Sequence, residues 1–200
     1  MFVEAYKKAT KFTQPVISMF RYYDGTVEAG LGTFIHLNDE GWIMTVGHIL
    51  HGIVASNQHK LEIQRYEASK KQITENQQLT EDQKKVALSK IIPNNKWVTH
   101  TSLWWGADNI IINQFHVMGE NDFAIGKIEN YKPAPEMEYP TIIDPSKMSP
   151  GRSLCKLGHP FHPIKAKFNP ITQRFEFIDL KKILPIPRFP MEGMYTRNVS

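Results

Sequence analysis

Between His59 and Ile92 the chain contains neither glycine nor proline, although both residues recur on either side. The stretch is rich in Lys, Glu and Gln, straight-chain residues that lose little rotamer freedom in a helix. Tyr66 and Ile73 are seven apart, as are Leu79 and Val86. That spacing suits a thin apolar stripe on each of two helices. Thr80 followed by Gln83 has the pattern of a capping box at the start of the second helix. Pro93 ends the segment. A polar helical hairpin over about 57–92 is expected, set into a chain of different character.

The flanks read as strands. "PVISMFRYY", a turn at "DGT", "AGLGTFIHL", a turn at "NDEG" and "WIMTV" predict an antiparallel meander over 15–47. Strand character returns after Trp97 in "WVTHTSLWW", "NIIINQFHV" and "DFAIGKI". The connector "YKPAPEMEYPTIIDPSKMSPG" is rich in proline, which lacks the amide donor a central strand needs. It separates an N-terminal β unit, residues 1–135, from a second β unit, residues 136–200. "RSLCKLGHPF", "KFNPITQRFEFI" and "LKKILPIPRFP" carry the strand pattern there. The class is mainly β.

Hydrophobic residues make up 41% of the 200, enough for a packed core. No apolar run approaches the ~20 residues that cross a bilayer, and the N-terminus lacks a signal-type apolar stretch. No membrane association is expected. The single cysteine, Cys155, permits no internal disulfide and fits a reducing cytoplasm. Basic residues exceed acidic ones by only 24 to 20, with no run of five, so nucleic acid is not an expected partner. "KFNPITQRFEFIDLKK" interleaves aromatic and basic residues, but Glu176 and Asp179 dilute it. His159 and His162 in "GHPFHP" have no Cys or carboxylate at ligand spacing and read as loop residues. Neither metal nor cofactor is expected. Oligomeric state is open.

One short stretch points to chemistry. In "MTVGHIL" a β-branched strand end, Thr45-Val46, delivers His48 to the rim of a sheet, and "HILHGIV" begins a short helical turn. Gly47 leaves space beside the ring for a close neighbour. A histidine acting as general base needs a rigidly held, buried carboxylate to fix its tautomer. Asp122, at the mouth of the strand "DFAIGKI", has the right setting. Asp108 in "GADNIII" is a weaker alternative, and His51 a rival to His48. Trp97, Trp104 and Trp105 read as core packing beneath the helical insert, or as an exposed binding surface.

"GTFIHLNDEGWIMTVGHIL" resembles the histidine-bearing region of trypsin-like serine peptidases of the chymotrypsin fold, in particular their bacterial Deg-type branch. "NDFAIGKI" resembles the family's aspartate segment, and "SPGRSLCKLGHPF" the opening of its second barrel. The order, His48 then Asp122 then the second barrel, is the family's, in which the serine comes last. The resemblance implies a double β-barrel with the second barrel incomplete, His48 and Asp122 as catalytic residues, and a polypeptide substrate. Three features depart from it, one being the helical hairpin at 57–92 between His48 and Asp122, which looks like an insertion in a loop of the first barrel. Thr33-Phe34 follows Gly32 where the family has Gly-x-Gly, and Val46 replaces the common Ala.

The family's "G-[DN]-S-G-G" nucleophile segment does not occur here. Ser146 and Ser149 lie in the connector, Ser153 reads as structural, and Ser200 is the last residue. Cys155, inside the apolar "SLCKLG", reads as a buried, inert thiol. The sequence is therefore expected to stop short of the serine. The 200 residues would be the N-terminal part of a serine endopeptidase, inactive alone. The alternative is a catalytically inactive, peptidase-like module that binds a protein partner.

Overall fold

The computed structural model describes residues 2–105, 108–159, 164–179 and 184–196. It is mainly β. Seven strands form one antiparallel sheet: β1 (Thr13–Tyr22), β2 (Val27–His36), β3 (Trp42–Val46), β4 (Val98–Trp105), β5 (Asp108–Ile110), β6 (Ile112–Met118) and β7 (Phe123–Ile128). Their order across the sheet is β5-β4-β1-β2-β3-β7-β6. The two edge strands, β5 and β6, are joined by Ile111 alone. Six spacings of about 4.8 Å would hold the edges of a flat sheet about 29 Å apart. A one-residue link spans about 7 Å. The sheet must curl until its edges meet at that corner, and it forms a half-barrel.

Strand β1 is buried on both faces. Val16 points into the half-barrel with Phe34, Ile43, Leu103, Ala124 and Ile128. Ile17 and Met19 point outward, against a layer containing Ile164, Phe175 and Ile186. That layer is carried in part by the hairpin β9 (Ala166–Asn169) and β10 (Arg174–Phe177). A second ribbon pairs β8 (Ser153–Gly158) with β11 (Phe189–Met194). All six β11 residues are exposed, as a two-stranded ribbon with no second layer requires. Among the described residues, the strands after the connector thus form two ribbons.

The interior of the half-barrel is closed by α2 (Gly47–Glu75). This helix starts ten residues before the expected insert, and "HGIVASNQ" continues it without a break. Gly52 costs about 1 kcal/mol relative to Ala in a helix, so it reads as punctuation. Here it is required by packing: a Cβ at Gly52 would overlap the ring of Phe20. Likewise Ile49 stands over Gly32 of β2, where no side chain fits. Ile49 and Leu50 join the inner core.

The second helix, α3 (Glu81–Lys90), starts on the expected capping box. The Gln83 amide donates to Thr80 Oγ1 at 3.3 Å, and the Thr80 amide to Gln83 Oε1 at 2.9 Å. A third helix, α1 (Val3–Thr10), was not anticipated from the sequence, and buries no residue. The strand expected in "LKKILPIPRFP" lies later, at β11; residues 184–188 form no strand, and 180–183 lie outside the described residues. Cys155 is half-buried in β8 rather than sealed in a core.

The three tryptophans separate. Trp97 packs edge-on against Tyr23 and against Tyr66 of α2, and its Nε1–H donates to Glu62 at 2.6 Å. It is the one beneath the insert. Trp104 packs on Phe177 in the outer layer. Trp105 lies beside His36, with ring centroids 4.7 Å apart. Tyr131 stacks near the same imidazole at 5.5 Å. His36 is fully buried, and neither ring nitrogen has a hydrogen-bond partner among the described residues.

Burial pushes the His36 imidazole down to about 4. His159 is pushed to about 4 as well, by burial and then by the Arg188 charge. In the unfolded chain both rings take up a proton as the pH falls below about 6.5. The folded state holds both neutral until about pH 4. The unfolded state therefore binds more protons between these limits, and stability falls as the pH drops from 6.5 to 4. Each ring contributes a slope of about 1.4 kcal/mol per pH unit. Urea unfolding at pH 7.5, 6 and 5 should show this decline, and His36→Phe should lower its slope by about 1.4 kcal/mol per pH unit at most. An unchanged slope in the variant would refute the assignment.

Candidate active site

Strands β3 and β7 are far apart in sequence and adjacent in the sheet. Their register pairs Val46 with Phe123 and Met44 with Ile125. Val46 ends β3 and Phe123 begins β7, so the residues just past this pair, Gly47-His48 and Asp122, are brought together at one rim. The backbone continues the ladder by one step: the Gly47 amide donates to the Asp122 carbonyl at 2.9 Å.

Asp122 then holds His48 at two points. Its Oδ1 accepts from the His48 backbone amide at 2.8 Å, and its Oδ2 lies 2.8 Å from His48 Nδ1. A carboxylate accepts at neutral pH, so Nδ1 carries the proton and Nε2 presents its lone pair. Among the described residues, the His48 ring makes no hydrogen bond except to Asp122. The His48 side chain is 66% exposed, so the ring opens to solvent.

The same carboxylate serves the helix. Val46, at the N-cap of α2, offers no side-chain oxygen to the free amides of the first turn. Asp122, the residue before β7, supplies it, and its negative charge sits at the positive end of the helix. Hydrogen bonds from the His48 ring and then the His48 amide hold the Asp122 carboxyl below the usual carboxylate range. Asp122 was expected to be buried. It is 54% exposed, and its rigidity comes instead from these paired contacts and a left-handed backbone, φ 46°. Gly47 is the enabling residue: a Cβ there would stand 3.2 Å from Asp122 Oδ1 and 3.2 Å from Val117 Cγ1.

The buried face of β7 is Ala124, Gly126 and Ile128; Phe123 and Ile125 are half-buried on the opposite face. Asp108 lies in β5, on the far side of β4, β1 and β2 from β3. His51 is exposed one turn further along α2. Ser146 and Ser153 are exposed in a 3-10 turn and in β8, and Ser149 is exposed in the connector. Ser200 and His162 lie outside the described residues.

Sequence reasoning missed His159. Read as a loop residue, it is 5% exposed, and its Nδ1 lies 2.9 Å from Thr33 Oγ1. The Thr33 carbonyl accepts from the Thr45 hydroxyl at 2.8 Å. A polar chain thus links the segment after the connector to the strand that delivers His48. Nothing local in "GHPFHP" signals it, because its partner lies 126 positions away.

Among the described residues no three His, Cys, Asp or Glu side chains converge to hold a metal ion. None of the described helices is long and apolar enough to cross a membrane. No protein-family model matches the chain, and neither does any curated protein.

Nitrogen NMR of the His48 ring should find the Nδ1–H tautomer in the neutral protein. Asp122→Asn tolerates the left-handed backbone and keeps an oxygen for the helix amide. Its NH₂ facing Nδ1 should shift the ring toward the Nε2–H tautomer. An unchanged tautomer would show that the carboxylate does not orient the ring.

Proposed function

We propose that this chain is the histidine- and aspartate-bearing part of a trypsin-like serine endopeptidase with a chymotrypsin-like double barrel. The carrying observation is the two-point hold of Asp122 on His48, with the ring exposed on its other side. The half-barrel would be the first barrel and the two ribbons the start of the second. The serine would come from a segment outside these 200 residues.

In this reading Asp122 fixes the tautomer and stabilises the imidazolium that forms. His48 Nε2 takes the proton from the attacking serine hydroxyl and returns it to the leaving amine. Water then repeats the cycle on the acyl-enzyme. His48 and Asp122 contain neither nucleophile nor oxyanion donors, so the 200 residues alone should leave peptides intact.

The test is to express the whole reading frame and treat it with a fluorophosphonate, which labels an activated serine. Labelling of one serine that is lost in His48→Ala, together with peptide hydrolysis lost by at least about a thousandfold, is the expected result. Labelling and turnover that survive the substitution, or a frame without a labelled serine, would overturn the proposal. The second outcome would favour a protein-binding module built on the same fold.

A further inference from the structure

We infer that the groove between α2 and strands β1 and β4 is a binding site for a small phosphate-bearing ligand. The groove encloses about 620 Å³, within the range of small-molecule sites. It lies beside residues 56–64 of α2, away from the His48 rim. The inference does not depend on the peptidase reading.

One wall is helical. Asn57, Lys60 and Gln64 line it, at spacings of three and four that place them on one stripe of α2. The other wall is sheet, with Arg21 from β1 and Thr99 and His100 from β4. Among the described residues no Asp or Glu lines the groove. Among the described residues no carboxylate lies within ion-pair distance of Arg21 or Lys60. Two cationic residues therefore line one cavity with no ion-pair partner among the described residues, and Arg21 also borders a neighbouring cavity with Phe168.

Arg21 is also held in place. Its guanidinium lies 4.9 Å from the centre of the Phe168 ring, and Nη1 donates to Thr99 Oγ1 at 3.3 Å. The Thr99 hydroxyl donates in turn to the Arg21 carbonyl at 2.9 Å. A guanidinium fixed this way keeps most of its five donors for a ligand and loses little freedom on binding. Lys60 adds a mobile point charge from the facing wall. Fork-shaped Arg donors, a Lys ammonium and side-chain amides suit the three oxygens of a phosphate group. The remaining volume, between Ile63 and Val98, would take an organic body.

Two acidic residues of α2 have their own partners, one of which, Tyr23, itself lines the groove. Glu62 accepts from Trp97, and Glu67 from the Tyr23 hydroxyl. His100 is committed to Thr99 and Gln173 through its two ring nitrogens, at 3.0 and 2.9 Å. Burial lowers its proton affinity.

The test is an amide NMR titration with inorganic phosphate against sodium chloride at matched ionic strength. Saturable shifts confined to Asn57, Lys60, Gln64, Thr99 and His100 are expected with phosphate alone. Lys60→Gln, on an exposed helix position, should weaken binding about tenfold, one charge-assisted contact. Arg21→Gln should weaken it at least as much. Should that variant fail to fold, Lys60→Gln decides the matter. Equal shifts with chloride, or phosphate binding unaltered by Lys60→Gln, would overturn the inference.

Discussion

The seating of α2 in the half-barrel is the contact on which the rest of the molecule depends. A curled sheet leaves an apolar concavity that must be filled. The first turn of α2 fills it with Ile49 and Leu50, at roughly 2 kcal/mol each for full burial. The helix can approach closely because backbone meets side chain without interference at two places, Gly32 under Ile49 and Gly52 against Phe20. Once those contacts form, the position of the helix start is set, and His48 is its second residue.

That seating would leave a helix end with unpaired amides at the sheet rim. Asp122 resolves the problem from a neighbouring strand. One carboxylate satisfies a backbone donor, complements the helix dipole and orients an imidazole. The structural and chemical roles cannot be separated by inspection of either residue alone. They are joined because the β3–β7 register aligns a strand end with a strand start. The exposure of both side chains means that geometry, and not a low dielectric, holds the pair.

Much of this was legible locally. The strands of the meander, the capping box at Thr80 and the separate settings of His48 and Asp122 rest on short-range signals: alternation, turn residues and a glycine before a histidine. The continuity of α2 was not legible, because Gly52 reads as a breaker until Phe20 is seen against it. The burial of His159 was equally hidden, since Thr33 lies in a different β unit of the sequence. The late position of β11 escaped because its residues are exposed and carry no alternating pattern.

The sequence by itself determined the strands of the meander and the helical character of 59–92, and it placed a histidine and an aspartate at element ends. Those outcomes follow from propensity and periodicity, which act within a few residues. Only the tertiary structure decided that the sheet curls, that α2 plugs it, and that Asp122 caps the helix it also serves. It also decided that Arg21 and Lys60 face one groove. Each of these depends on strand order and register, and those are set by burial across the whole chain rather than by any stretch of it.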